Sequence, residues 1–321
     1  MSLHRSSGRW QLGLGLALVT TFLWGILPVA LSIALQQLDS YTLTWVRFVI
    51  AFSLLLPFLA LQRSLPDLAK LRPLDWGLLA LAVVFLAANY VLFLLGLHQT
   101  SASNAEVVIQ LSPVLLALGA LLIFKERYTG LQWSGLAVFV AGFGLFFQAQ
   151  LASLLTSSAT YIVGSGLVVV GAIVWAIYAL AQKQLLKVLP AAATMLLIYA
   201  GCALVLLPLT HPAQLLTLDS LHLAVVLFCA LNTLVAYGAF AASLEHWEAS
   251  RVSAVISLAP LVTLAAVWAS SQVWPALLKP EPLTPTGFLG AVLVVVGSLA
   301  MALGRGTLSP QPPPPMVKGE K

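Results

Sequence analysis

Long apolar runs and short polar breaks alternate along the chain, and the runs define its elements. Ten runs stand near residues 11–35, 41–62, 75–97, 102–124, 131–148, 161–183, 191–211, 220–243, 249–271 and 286–304. Each is close to the length of about 20 residues that a helix needs to cross a hydrocarbon core. None shows the ten-residue alternation of a membrane strand, so the runs predict ten transmembrane helices and an all-α integral membrane protein. The first run follows Arg5 and Arg9, in the charge order of a signal peptide, but it is too long for the apolar region of one.

The runs also repeat. Leu97, Ala102, Ser103, Val108, Leu111 and Pro113 recur as Leu244, Ala249, Ser250, Val255, Leu258 and Pro260, at a constant offset of 147. Earlier in each half, Gly13, Trp24 and Pro57 match Gly164, Trp175 and Pro208 at an offset of 151. Later, Glu126, Gly135 and Gly142 match Glu281, Gly290 and Gly297 at 155. Order held across so many segments predicts a duplicated unit with small loop insertions. The division is then a polar N-terminus at 1–10, a first repeat at 11–148, an extracytoplasmic linker at 149–160, a second repeat at 161–304 and a Pro-rich, disordered cytoplasmic tail at 305–321. Five spans is an odd number, so the second unit should be inverted relative to the first.

Composition strengthens this picture. Apolar residues make up 60% of the chain and charged residues 8%, against about 25% charged in a soluble domain. With a cytoplasmic N-terminus, 13 of the 15 basic residues fall on the inner side, which also makes the C-terminus cytoplasmic. The net charge of +5 is spread over short loops, so no nucleic-acid surface is expected. Cys202 and Cys229 lie inside apolar runs without metal-ligand spacing, and neither a metal nor another cofactor is expected.

The ordered set of Trp24-Gly25, Arg47 in the second span, Ser101 to Pro113, Lys125-Glu126-Arg127, Gly135 and Gly142 has its counterpart in Trp175, Tyr178, Ala249 to Pro260, Glu281, Gly290 and Gly297. In this order the chain resembles the drug/metabolite transporter superfamily of the EamA type, over roughly residues 11–304. About eight extra residues before Glu281, including Trp274, Pro275 and Lys279, depart from the pattern as an enlarged outer loop. The resemblance implies a secondary carrier of small organic solutes in a bacterial inner membrane, often an exporter of amino acids or similar metabolites, and no enzyme activity. Its partners would be the solute and the lipid bilayer.

Polar residues at membrane depth are the candidate chemistry. Ser103, Glu106, Gln110 and Pro113 share one helical face, and Ser250, Ser253, Ser257 and Pro260 share the equivalent face of the other repeat. An ionised side chain facing lipid costs at least about 2.5–3.5 kcal/mol, so Glu106 should face an interior cavity. Pro113 and Pro260 each remove a backbone hydrogen bond, which frees carbonyls near Ile109 and Ile256 or simply kinks the span. Arg47 lies about six residues into the second span and Glu106 about five into the fourth, at similar depth for a rise of about 1.5 Å per residue. Three readings stay open for this pair: a structural ion pair, direct contact with a zwitterionic or anionic solute, and proton coupling through Glu106.

Asn89 and Asn232 are the other strongly polar side chains far inside, either as solute ligands or as links between helices. Trp24, Trp175, Tyr90, Tyr178 and Tyr237 are candidate cavity walls. Gly135 with Gly142, and Gly290 with Gly297, sit seven residues apart and permit close helix approach, within the chain or in a homodimer. An integral-membrane enzyme or a channel is the rival class. No phosphate-cradling glycine motif with Lys and Ser or Thr is present, which argues against direct drive by ATP.

Overall fold

A computed structural model describes residues 7, 9–123, 128–154, 159–273 and 284–303. The C-terminal Pro-rich tail, the Lys125-Glu126-Arg127 motif, and the enlarged loop with Glu281 lie outside the described residues. So do most of the N-terminal segment and part of the linker. Among the described residues the structure is all helical: α1 (Trp10–Ala34), α2 (Ser40–Leu61), α3 (Pro73–Gln99), α4 (Ala102–Ile109), α5 (Leu111–Ile123), α6 (Gly130–Leu154), α7 (Ala159–Leu185), α8 (Ala191–Leu206), α9 (Ser220–His246), α10 (Ala249–Ile256), α11 (Ala259–Val273) and α12 (Pro285–Leu303). Among the described residues seven helical segments are long and apolar enough to cross a membrane, and three shorter apolar ones accompany them.

Helix starts follow local chemistry. Asp39 caps α2, its carboxylate accepting from the N–H groups of Tyr41 and Thr42 at 2.8 and 3.0 Å. Pro73 opens α3, where a missing N–H costs nothing, and Asp75 accepts from Arg72 N at 3.0 Å. Ser101 caps α4 and Asp219 caps α9 by accepting from Asn104 N and His222 N.

The apolar runs near 102–124 and 249–271 are not single helices. Each is broken, at Gln110 and at Ser257-Leu258, two to three residues before its proline. Proline offers no N–H to the preceding turn, and its ring crowds the carbonyl four residues back. The chain responds with a tight turn at Gln110, whose N–H bonds to Val107 O at 3.1 Å. At the other break Leu258 N bonds to Val255 O at 3.1 Å.

Helix packing repeats across the two halves. α1 packs on α9 as α7 packs on α3, and α1 meets α11 as α7 meets α5. α2 packs on α8 and α6 on α12, each pair joining equivalent helices. Several pairs are antiparallel: Gly135 faces Gly297 while Gly142 faces Gly290, and Thr20 bonds to Ala236 O while Leu23 O accepts from Asn232. A Cβ on Gly297 would meet Phe139 N at 2.4 Å, so the two glycine faces are consumed by the α6–α12 contact within the chain. At one end, the α8–α9 connection docks on the α1–α2 turn. His211 N donates to Thr42 Oγ1 at 2.8 Å, Asp39 N to Gln214 Oε1 at 3.1 Å and Gln37 Nε2 to Asp219 Oδ2 at 2.9 Å. Large apolar side chains such as Phe22, Val140, Leu204 and Trp268 stay exposed around the helix bundle, as lipid-facing residues do.

Candidate functional site

A cavity of about 90 Å³ lies at the centre of the helices, between the two breaks. That is room for several waters or a small organic group. Both repeats build its wall. Trp24 and Trp175, which occupy equivalent places in the repeats, meet there with ring centroids 5.7 Å apart at 79°. Tyr237 lies 4.9 Å from Trp24 and 5.3 Å from Tyr90, so the aromatic surface is continuous. Edge and tilted contacts of this kind contribute about 0.5–1.5 kcal/mol each beyond burial.

Arg47 and Glu106 both face this cavity and are 2% and 5% exposed. They do not form an ion pair with each other. Arg47 Nε instead donates to Thr233 Oγ1 at 2.9 Å, and its guanidinium carbon lies 4.5 Å from the Tyr90 ring centroid. A desolvated cation over an aromatic face gains about 2 kcal/mol. Glu106 accepts from Gln110 Nε2 at 3.1 Å, one helical turn later on the same face. Four polar atoms on the wall have no hydrogen-bond partner among the described residues: Trp24 Nε1, the Tyr90 hydroxyl, Gln110 Oε1 and Ser112 Oγ. Buried polar atoms are rarely left in that condition, and such a group of them marks a place for a ligand or water.

Of the twelve side chains singled out in the sequence, Trp24, Arg47, Asn89, Tyr90, Glu106, Gln110, Trp175 and Tyr237 line the cavity. Asn89 also donates to Gly171 O at 3.0 Å, tying α3 to α7. The other four do not line it. Tyr178 stands behind Trp175 and Tyr237, at ring distances of 6.4 and 6.3 Å, with its hydroxyl toward Met195 Sδ. Asn232 donates from its amide nitrogen to Leu23 O at 2.7 Å and links α9 to α1. Ser253 and Ser257 are each 1% exposed, and Ser257 Oγ donates to Ala254 O at 2.7 Å. The break after Ile256 turns that isoleucine to the cavity in place of the serines.

Sequence reasoning overlooked Ser112, Thr233 and Pro28. Ser112 stands next to Pro113 in the break. Thr233 is the hydroxyl neighbour of Asn232, and a buried arginine needs such an acceptor. Pro28 lies one turn beyond Trp24 inside α1.

Comparison with known proteins finds relatives along most of the chain. Residues 11–148 and 162–303 each match the model of the EamA-like transporter family. A protein of Haemophilus influenzae named an uncharacterized transporter is 36% identical over 92% of this chain and 96% of its own. The uncharacterized inner membrane transporter YhbE of Escherichia coli K12 is 37% identical, over 92% of each chain. A probable amino-acid metabolite efflux pump of the same organism is 24% identical over 88% of this chain and 92% of its own. One solved crystal structure, 19% identical, has the same fold at a TM-score of 0.66 over 92% of this chain and 98% of its own.

Proposed function

The chain belongs to the EamA-like transporter family, and from that premise we propose that this multi-pass membrane transporter is a secondary carrier exporting an amino acid or similar small metabolite. Ten spans form two inverted five-helix repeats, with both termini in the cytoplasm of a bacterium and the protein in its inner membrane. Antiparallel packing of α3 against α7 supports the inversion. Alternate spans run the same way, so α1 and α3 share a direction, and α7, the counterpart of α1, opposes it.

One observation carries the carrier reading: two helices at equivalent places in the repeats break beside one central cavity. Discontinuous helices at matching positions are how many carriers build a midplane site. Alternating access then follows as the halves rock about that cavity. Arg47 and Glu106 bracket the solute, Arg47 offering its terminal nitrogens to a carboxylate and Glu106 with Gln110 accepting from an ammonium. Apolar and aromatic walls from Trp24, Trp175, Phe93 and Ile109 hold the remainder. The efflux names of the more distant relatives support the class of solute and the direction.

Counterflow in proteoliposomes tests this reading. Vesicles preloaded with unlabelled amino acids should concentrate at least one labelled amino acid transiently, with saturation. Non-saturable flux without exchange acceleration would indicate a channel, and no flux for any amino acid would sink the proposed solute class.

A further inference from the structure

Among the described residues one that is not glycine, Arg63, has a left-handed backbone, at φ 52°. It ends α2. Arg63 N donates to Ala60 O at 3.1 Å and Ser64 N to Leu59 O at 3.0 Å, the two bonds that close a helix over a residue in this conformation. Glycine takes such a place without steric cost and arginine does not. An arginine held there points to a use for its side chain. That side chain is exposed and meets no carboxylate among the described residues.

Further cations gather around Arg63. The α2–α3 connection packs on the α7–α8 turn, with Leu71 against Leu189 and Ala193. These two segments, 62–72 and 186–190, hold Arg63, Lys70, Arg72 and Lys187 against Asp67 alone. Arg72 and Lys187 are exposed and, like Arg63, have no carboxylate partner among the described residues. Desolvation by its neighbours, with no anion to offset it, holds the Lys187 ammonium below its usual pKa range. The opposite end of the bundle is built from the equivalent segments, 35–39 and 207–219, which carry no Lys or Arg and contain Asp39 and Asp219. Arg72 precedes α3 as Asp219 precedes α9, so the charge is reversed at one equivalent place. Apolar side chains flank the cations. Leu61 is 86% exposed, and Leu65, Leu68 and Trp76 are exposed nearby in the chain. A soluble anion has no use for these, whereas a phospholipid presents a phosphate and acyl chains together, and tryptophan favours the headgroup level.

We propose that this end of the bundle binds an anionic phospholipid, whose phosphate accepts from Arg63, Arg72 and Lys187 while its acyl chains lie beside Leu61 and Trp76. Arginine holds a phosphate through paired N–H groups, and basic residues beside a span attract anionic headgroups. Arg63 and Arg72 belong to the first repeat and Lys187 to the second, so the bound lipid fastens the two repeats together at this end. The site requires only that the chain spans a bilayer. Its place in the cytoplasmic leaflet rests on the topology proposed above, and the lipid contact itself does not rest on the carrier reading.

Melting temperatures of the full chain in a neutral detergent, with phosphatidylglycerol or phosphatidylcholine added in matched amounts, test the site. Phosphatidylglycerol should stabilise the wild type more than phosphatidylcholine does. Arg63→Gly suits the left-handed backbone, so its melting temperature in phosphatidylcholine should be unchanged or raised. Its half-maximal stabilisation by phosphatidylglycerol should nevertheless need about fivefold more lipid. Arg72→Gln and Lys187→Gln should each weaken the response by a similar factor. Equal stabilisation of the wild type by the two lipids overturns the proposal, as does an undiminished phosphatidylglycerol response in Arg63→Gly. A loss of stability in Arg63→Gly that is the same in both lipids would assign the arginine to the helix end alone, and also overturns it. Glycerol phosphate should give no shift, and a shift equal to that of the lipid would make this a site for a soluble anion. None of these measurements uses transport, so counterflow can fail while the lipid site stands.

Discussion

The guanidinium of Arg47 rests on the Tyr90 ring, 4.5 Å from its centroid, and makes no ion pair with Glu106. A cation held by a ring and a hydroxyl keeps its charge available, whereas one locked to a carboxylate would be neutralised before a solute arrived. Its flat fork is also fixed in direction, because Thr233 holds Nε. Arg47→Lys preserves the charge but loses the fork and the stacking. Apparent solute affinity in counterflow should fall about tenfold to a hundredfold, the equivalent of about 1.5–3 kcal/mol for a charged hydrogen bond. Wild-type affinity in the lysine variant would show that the fork has no part in binding.

The paired breaks make a different prediction. Pro113→Ala and Pro260→Ala restore a helix donor at each site. In the first turn of α5 and α11 a proline costs little, and alanine is a good helix former there, so each variant should leave thermal stability unchanged or raised. Turnover should fall in both, because a continuous helix re-aims Gln110 or Ile256 away from the cavity. Lower stability together with full transport would mean that the breaks only accommodate packing.

Much of this organisation was legible in the sequence, for a physical reason. Lipid demands long apolar helices, so hydropathy alone locates α1, α2, α3 and α9 to within a few residues. The facing of side chains inside those helices was far less legible. A leucine packed against protein and a leucine packed against lipid satisfy the same requirement, so α3 shows little periodicity to distinguish its sides. Polar residues reveal the interior but not their partners. Asn89 and Asn232 look alike in sequence, yet one lines the cavity and the other stands off its wall, donating to Leu23 O. Tyr178 lies a single turn beyond Trp175, and that turn carries it behind the wall. The prolines announced the breaks, but the direction in which each chain turns depends on packing across the repeats, which put Ile256 in place of Ser253 and Ser257.

Asp219 ties the α8–α9 connection to the first repeat and gives a pH prediction. The backbone N–H of His222, with further help from the His222 ring and Gln37, holds its carboxyl down at about 2. A carboxyl depressed in the folded state stabilises the fold above its unfolded value of about 4 and loses that contribution as pH falls through about 2. The thermal stability of the purified protein should therefore fall on acidification across that window. Asp219→Asn keeps a good cap for α9 but removes the charge, so this part of the acid dependence should flatten. An unaltered acid profile in the variant would assign the effect to other carboxyls.

The contact between α6 and α12 makes the sharpest distinction among the glycines. At Gly297 an added Cβ would stand 2.4 Å from Phe139 N and 2.6 Å from Gly135 O. Both are backbone atoms, so relief requires the helices to move apart. At Gly144, on the same α6 helix, a Cβ meets nothing within 4 Å. Helix propensity alone favours alanine over glycine by about 1 kcal/mol at either position. Gly144→Ala should therefore keep or raise the melting temperature in detergent. Gly297→Ala should lower it, by the equivalent of about 1–3 kcal/mol for an overpacked contact. Because this helix pair lies away from the cavity wall, Gly297→Ala should also keep solute affinity in whatever fraction remains folded. Equal melting temperatures for the two variants would show that α6 and α12 do not approach as closely as their facing glycines require.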